Sequence, residues 1–566
     1  MSEKSDLTKV APPKELSDAE CRAVFDRLSR RLGSFRNTAE LYATTEAYSV
    51  NTQDAMSVKD AFVKALNEWA QETLKNIWLA CREPGGGDPP RLDPLADTST
   101  AGLPPLPSQE HITPLLHTVL LLHVTTHKEY SSRTRTFLFS IGPVDEEVVA
   151  ATLKNPQRAI EEAGKKTEAA REEDARKSKM LRMVGMGVGA VAGGVLIGVT
   201  GGLAAPAVGA GVSTVLGWLG VGGTAVGMLA SGLAGSSVVC GALFGAYGSK
   251  KTAAVIGEYT REVRDLAIKP VHEPKETMAA RLCVTGWLES PDDVTAPWTV
   301  FGGDDTFALQ WEVEALKGLS NALVDLIKAQ AMQYIKGQII KQTVLAALLS
   351  ALSPLSWMKI TKIIASIPDN PWMHTKSLAV KTGKVLGTLL AERVLGNRPI
   401  TLVGYSLGSL VIFEALQHLA SLPPSQTLGL IQDVYLFGSP VSTDRAQWAS
   451  IRRLAAGRVV NGYGSDDYVL AVLARVSGMN WGVAGLEPVE LQGVENVACE
   501  QVDGHLKWRG MIGQCLAQCG APGVDKAEVE RQLERKATRI GEQMDMTEEE
   551  AERAVKAGPG SDTQRP

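Results

Sequence analysis

The sequence predicts an α/β fold: a mostly parallel sheet covered by helices, preceded by a helical N-terminal region and a glycine-rich hydrophobic hairpin. Three observations predict it. After Lys251, short apolar runs alternate with helical stretches, the pattern of a parallel sheet buried on both faces. Residues 183–248 contain no Asp, Glu, Lys or Arg. Between residues 399 and 412 an apolar strand, a Gly-x-Ser-x-Gly turn and an apolar helix follow one another.

The composition bounds what such a chain does. Its 566 residues are 44% hydrophobic, enough for one large core and an accessory domain. Lys and Arg total 58 against 63 Asp and Glu, a net charge of -5, which gives no basic field and argues against a nucleic-acid partner. The seven cysteines show no paired metal spacing, and a chain of this size needs no disulfide framework, so they point to a reducing compartment. Residues 1–13 are polar and charged and do not read as a cleaved secretory signal, so membrane insertion is expected from inside the chain.

Residues 1–17 read as a loose tail and 18–182 as a helical N-terminal region. Within it, residues 20–78 carry amphipathic helical spacing through Val24, Leu28, Leu32, Phe62, Leu66 and Trp69. Residues 83–108, rich in Pro and Gly, form a loop. An apolar helical stretch follows at 112–124, and 144–182 becomes progressively charged, with acidic and basic residues alternating from Glu161 onward. His123 and His127 sit one helical turn apart, but no carboxylate or thiol nearby completes a metal site, so no metal is assigned.

Residues 183–248 are expected to form two or three transmembrane helices, since one span needs roughly 20 apolar residues. Gly185, Gly189, Gly193, Gly194, Gly241 and Gly245 supply small-residue faces for close helix packing. Pro206 and residues 220–223 are the expected breaks. Lys177, Lys179 and Arg182 precede the stretch and Lys250 and Lys251 follow it, which favours an even number of spans with both flanking regions in the cytosol. The competing reading is a glycine-rich hairpin buried inside the protein itself.

The α/β domain is expected over 270–520, with strands at 281–285, 307–311, 399–403, 433–437, 458–463 and 494–498. A long helical insertion spans 312–393. Its uncharged stretch 343–357 either covers the sheet, the reading favoured here, or forms a lid or acyl-binding wall. Cys515 and Cys519 sit one turn apart and read as helix packing. A charged helical tail occupies 525–566.

Gly404-Tyr405-Ser406-Leu407-Gly408 carries the chemistry. A sharp strand-to-helix turn would lift the Ser406 hydroxyl above the sheet, with Gly404 and Gly408 leaving room for neighbouring backbone and the Leu407 N–H facing a developing oxyanion. The competing reading makes Ser406 a helix cap. A serine needs a histidine to take its proton and a carboxylate to orient that histidine. Downstream, His418 lies on the helix after the turn, which leaves His505, in a glycine turn, as the base. The loop after strand 458–463 offers Asp466 and Asp467 as the acid. Asp444 and Asp503 read as turn or capping residues. The N–H of Trp287, after Gly286, is the second oxyanion donor, unless Trp287 only packs against the insertion.

Several motifs in order, Val284-Thr285-Gly286-Trp287, Ala308-Leu309-Gln310-Trp311-Glu312, Asp369-Asn370-Pro371-Trp372, residues 398–408 and Gly504-His505, resemble the transmembrane and coiled-coil domain-containing protein 4 family, a eukaryotic group of predicted α/β hydrolases. The resemblance covers about residues 150–520. It implies an α/β-hydrolase fold, a membrane tie and a Ser-His-Asp triad, and it aligns Asp467 with the family's acid, leaving Asp466 as the alternate. The family tends to place an aromatic residue soon after the histidine, whereas Leu506, Lys507 and Trp508 follow here.

These residues together lead to the expectation of an intracellular, membrane-associated serine hydrolase, a lipase or esterase acting on a lipid or other ester near the bilayer without metal or cofactor. Two other readings stand beside it. One is a silent hydrolase-like membrane adaptor whose N-terminal and C-terminal helices bind proteins; the other is an acyltransferase or thioesterase with the same triad. No nucleotide-binding glycine motif follows a strand.

Overall fold

The computed structural model describes residues 5–13, 15–166, 204–218, 224–247, 249–259, 262–322, 370–478, 482–502 and 504–544. Two hydrophobic cores organise them, one around a sheet and one around the N-terminal helices.

The sheet contains β1 (Ala267–Pro270), β2 (Ala280–Val284), β3 (Asp305–Gln310), β4 (Ile400–Tyr405), β5 (Ile431–Phe437), β6 (Val459–Tyr463) and β7 (Val494–Ala498). Their order is β1-β3-β2-β4-β5-β6-β7. Every pairing is parallel except β1 with β3. Strands β2, β4 and β5 are buried at every position, as strands covered on both faces must be, and this explains their unbroken apolar runs. The six strands expected from sequence are all present with ends moved by up to two residues. The antiparallel edge strand β1 was not expected: it is only four residues long, half exposed and closed by Pro270, so it carries no buried run to read.

Because β2, β4, β5, β6 and β7 run parallel, their C-terminal ends lie side by side, and Val284, Gly404 and Leu436 stand in register across the sheet. The loops that follow these strands therefore gather at one edge, where open parallel sheets place their sites. The helix Leu407–Ser421 leaves β4 directly, and the helix Pro371–Ala391 packs against it.

In the N-terminal region, α1 (Asp18–Val50) and α2 (Gln53–Ala80) form the stretch 20–78 in which helical spacing was read. Asn51 takes a left-handed conformation (φ 52°), and Thr52 caps the second helix through the Ala55 N–H, which turns the chain back on itself. Three further helices follow, α3 (Gln109–His127), α4 (Ser132–Ile141) and α5 (Glu146–Lys154). Residues 5–13, read as part of a loose tail, are instead packed: Leu7 and Val10 are fully buried, and the carbonyls of Lys9 and Val10 meet His117 and Thr118 of α3. A short apolar segment with a buried partner waiting for it has the composition of a tail without the freedom of one.

Helix α1 lies along the helix Arg445–Leu454, and Arg453 is ion-paired with Glu46. The N–H groups of Tyr130 and Ser132 donate to the carbonyls of Asn397 and Gly429 at 2.8 Å. The helical region is thus attached to the sheet domain through buried polar contacts.

Of the stretch read as transmembrane, residues 183–203, 219–223 and 248 lie outside the described residues. Helices Ala204–Trp218, Thr224–Ala234 and Ser236–Phe244 are described, and among the described residues no single helix is long and apolar enough to cross a membrane. The last two pass that test only as a pair, bent by 65° at the break. Leu216, Leu229, Leu233, Leu243 and Phe244 are buried in the same core as α3 and α5. The helical tail is described as Lys526–Met544, docked by Gln532, which accepts the Gly513 N–H and donates to the Pro297 carbonyl. Residues 343–357 of the insertion lie outside the described residues.

One ion pair anchors the entrance to β4. Arg398 meets Asp305 at 2.8 Å with both side chains 2% exposed, and Asp305 also accepts the N–H groups of Lys275 and Thr277. Asp305→Ala leaves the guanidinium buried without its counter-charge, so it is expected to cost about 3–5 kcal/mol, read as a lowered thermal unfolding midpoint.

Candidate active site

Ser406 stands between β4 and the helix Leu407–Ser421 with φ 53° and ψ −130°, a conformation a non-glycine residue adopts only where its surroundings enforce it. Those surroundings are backbone. The Ser406 N–H donates to the Phe437 carbonyl at the end of β5 (2.9 Å), and the Ser406 carbonyl accepts the Ser409 N–H (3.0 Å) to start the helix. The Ser409 hydroxyl donates to the same Phe437 carbonyl at 3.1 Å. Gly286, Gly404 and Gly408 let three segments close around the turn. A methyl group on Gly408 would lie 2.0 Å from the Val284 carbonyl oxygen, and one on Gly286 would lie 2.3 Å from the Leu407 nitrogen.

The Ser406 Oγ is 2.6 Å from His505 Nε2, and His505 Nδ1 is 2.8 Å from Asp467 Oδ2. A carboxylate can only accept, so Nδ1 carries the proton and Nε2 is left to accept the serine hydroxyl. His505 comes from the loop after β7, entering a short turn directly after Gly504. Asp467 ends the loop after β6 and caps the helix Tyr468–Val476, its Oδ1 accepting the Leu470 N–H at 3.0 Å. All three side chains are at most 2% exposed. Asp466 is exposed, which separates the two neighbouring carboxylates: Asp467 faces the histidine. Asp444 caps the helix Arg445–Leu454 through the Gln447 N–H. Asp503 lies outside the described residues. His418 packs beside Gly387, with Nε2 3.2 Å from the Thr388 hydroxyl.

Leu407 opens its helix, so its N–H has no acceptor within the helix and faces the turn. Beside it runs the loop from Thr285 to Leu288. Trp298 Nε1 donates to the Thr285 hydroxyl (2.9 Å), Trp311 Nε1 to the Thr285 carbonyl (3.1 Å), and the Tyr405 hydroxyl to the Trp287 carbonyl (3.1 Å). Burial pushes the Tyr405 phenol well above its ordinary value, so it stays a neutral donor. Arg509 reaches across from the helix Trp508–Gln518 to Asp293 (2.5 Å) and Glu289 (2.7 Å). Burial opposes the Arg509 charge, but Asp293 and Glu289 outweigh it and hold the group above its ordinary value. The arrangement brings Ser406, Leu407, Trp287, Asp467 and His505 to one edge of the sheet. The Trp287 indole itself is buried, and its N–H has no partner among the described residues. Residues 323–369 of the insertion, its alternative packing partner, lie outside the described residues.

Sequence reasoning missed Trp508, whose Nε1 donates to Asp467 Oδ2 at 3.0 Å. The signal was present as an aromatic residue three positions beyond His505. His123 and His127, with rings 5.1 Å apart, gain no third ligand; burial and then His127 lower His123 to about 3, and its Nε2 accepts the Ser131 N–H. Among the described residues no group of three or more His, Cys, Asp or Glu is placed to hold a metal ion.

Residues 178–521 match the family described as "Protein of unknown function (DUF726)", and the chain belongs to that family. It is 34% identical to an uncharacterized membrane protein of Schizosaccharomyces pombe, over 68% of each chain. It is 34% identical to a rice transmembrane and coiled-coil domain-containing protein, STS1, over 62% of this chain and 55% of that one. A probable lipase of Saccharomyces cerevisiae, MIL1, is 35% identical over 55% of this chain and 28% of its own. The resemblance read from sequence is therefore supported in part: the chain belongs to this family, one of whose relatives is named a transmembrane and coiled-coil domain-containing protein, but the narrower protein 4 name is not shown. No solved structure matches.

The glycine contacts give a direct check. Gly408→Ala is expected to lower the thermal unfolding midpoint by an amount equivalent to about 2 kcal/mol or more. Gly241→Ala, where a methyl would meet nothing within 4 Å, is expected to leave it unchanged or slightly raised.

Proposed function

We propose that this chain is a membrane-associated serine hydrolase of the α/β-hydrolase fold, a lipase or esterase that cleaves an ester near a bilayer. The observation that carries the reading is the hydrogen-bonded series Ser406, His505 and Asp467, with steps of 2.6 and 2.8 Å, built on a strained strand-to-helix turn. The order Ser, Asp, His along the chain and the position at the C-terminal ends of parallel strands support it. So does the relative named a probable lipase.

In this reading Ser406 Oγ attacks the ester carbonyl while His505 Nε2 takes its proton. Asp467 holds the imidazole with Nδ1–H toward the carboxylate and stabilises the imidazolium. The N–H groups of Leu407 and Trp287 receive the negative charge on the former carbonyl oxygen. His505 then returns the proton to the departing alcohol, leaving an acyl group on Ser406. Water, activated by the same imidazole, releases the acid and restores the serine. An acyltransferase or thioesterase would share every step except the acceptor or the leaving group.

Membrane association is part of the proposal, supported by relatives named as membrane proteins and by the charge-free stretch 183–248. With basic residues on both sides of that stretch, an even number of spans leaves the hydrolase domain in the cytosol. A membrane beside the site would concentrate a lipid ester at Ser406.

Fluorophosphonate labelling in detergent or vesicles tests the chemistry. The native chain is expected to label, Ser406→Ala and His505→Ala to lose the label, and Asp467→Asn to slow it by roughly four orders of magnitude. A folded native chain that never labels moves the reading to a silent adaptor. Separately, the protein is expected to stay with the membrane pellet after a carbonate wash; release into the soluble phase overturns the bilayer part alone.

A further inference from the structure

We propose that Trp508 is a positioning residue of this site, the group that fixes the acid, and the proposal rests on the hydrolase reading above. Asp467 Oδ2 is shared between two donors, His505 Nδ1 at 2.8 Å and Trp508 Nε1 at 3.0 Å, while Oδ1 is held by the Leu470 N–H at 3.0 Å. Asp467 and Trp508 are both fully buried. A carboxylate turns easily about its last bond, and a single backbone donor on Oδ1 leaves the other oxygen free to swing away from the histidine. The indole removes that freedom. It donates and cannot accept, so it satisfies the buried charge without competing for the imidazole proton.

The indole is itself fixed from the side of the nucleophile. Its ring lies 6.1 Å from that of Phe437, the residue whose carbonyl accepts the Ser406 N–H. The next residue, Gly438, has φ 52°, and a methyl group there would come within 2.4 Å of the Trp508 indole nitrogen. One side chain thus touches the acid at one edge and the strand end that holds the nucleophile turn on its face. A tryptophan that merely filled the core would be served equally by phenylalanine. A positioning tryptophan would not.

Trp508→Phe keeps the ring and removes the N–H. With an ester substrate, kcat is expected to fall roughly tenfold at unchanged KM, the size expected for one hydrogen bond to a buried charge. A low-field NMR proton of His505 Nδ1–H is expected to be sharp in the native chain, absent in His505→Ala, and broadened in Trp508→Phe as the carboxylate loosens. Gly438→Ala, which retains the indole but pushes it off its place, is expected to reproduce both effects and serves if Trp508→Phe does not fold. Native-like kcat and a sharp proton in a folded Trp508→Phe overturn the proposal. If the native chain neither labels nor turns over an ester, the hydrolase reading fails by itself. The proton signal then still decides Trp508: broadening supports positioning and an unchanged signal overturns it.

Discussion

The candidate site depends on one constraint: three backbone segments must approach closely enough to hold Ser406 at a positive φ. The turn gives up a comfortable serine conformation and gains a hydroxyl raised clear of the sheet. What holds it is hydrogen bonding from Ser406 and Ser409 to a single carbonyl, that of Phe437, together with the absence of Cβ atoms at Gly286, Gly404 and Gly408. The parallel register of β2, β4 and β5 brings those positions together, so the geometry of the turn is a property of the sheet rather than of a loop. Precision of this kind is what a positioned nucleophile needs.

The proposed acid and base are held by different means. Asp467 and His505 come from loops after β6 and β7, and loops alone position side chains poorly. Here each loop is terminated by a helical turn that begins at the functional residue itself. Asp467 is both the cap of its helix and the partner of the imidazole, so the same carboxylate satisfies orphan backbone and orients His505. On the far side, Arg509 ties the helix after His505 to the loop carrying Trp287 through Asp293 and Glu289. The two walls of the site are therefore braced against each other by partly buried charge.

Much of this was legible in the sequence because it is written in short-range patterns. Fully buried strands such as β4 and β5 read as apolar runs, and Gly-x-Ser-x-Gly between such a strand and a helix has few other uses. Chain order and a shortage of histidines left His505. Asp466 and Asp467 could not be separated from composition, since adjacent carboxylates in one loop differ only in which way the loop turns, and a family resemblance had to decide. Trp508 was visible as an aromatic residue just beyond His505, but its role was not, because that role depends on a contact with Asp467, 41 positions away, that no local pattern encodes. The break at Asn51 and the edge strand β1 were missed because each rests on very few residues, one left-handed backbone in the first case and four half-exposed positions in the second.

The glycine-rich stretch shows where pattern reading meets a physical degeneracy. A helix without charges is suited to lipid and equally to the inside of a helical bundle, because both remove its side chains from water and both require its backbone to bond internally. Hydropathy therefore cannot separate the two. What differs is length: a bilayer imposes a thickness of about 30 Å, whereas a protein core accepts a helix of any length. Helices of 15, 11 and 9 residues are short for a span, and their buried leucines share a core with α3 and α5. Glycine and alanine also give a weak drive into lipid but permit close packing against protein. For the helix Ala204–Trp218, length and packing favour the protein as the apolar surrounding, whereas the bent pair that begins at Thr224 reaches the length of a span only when its two helices are taken together.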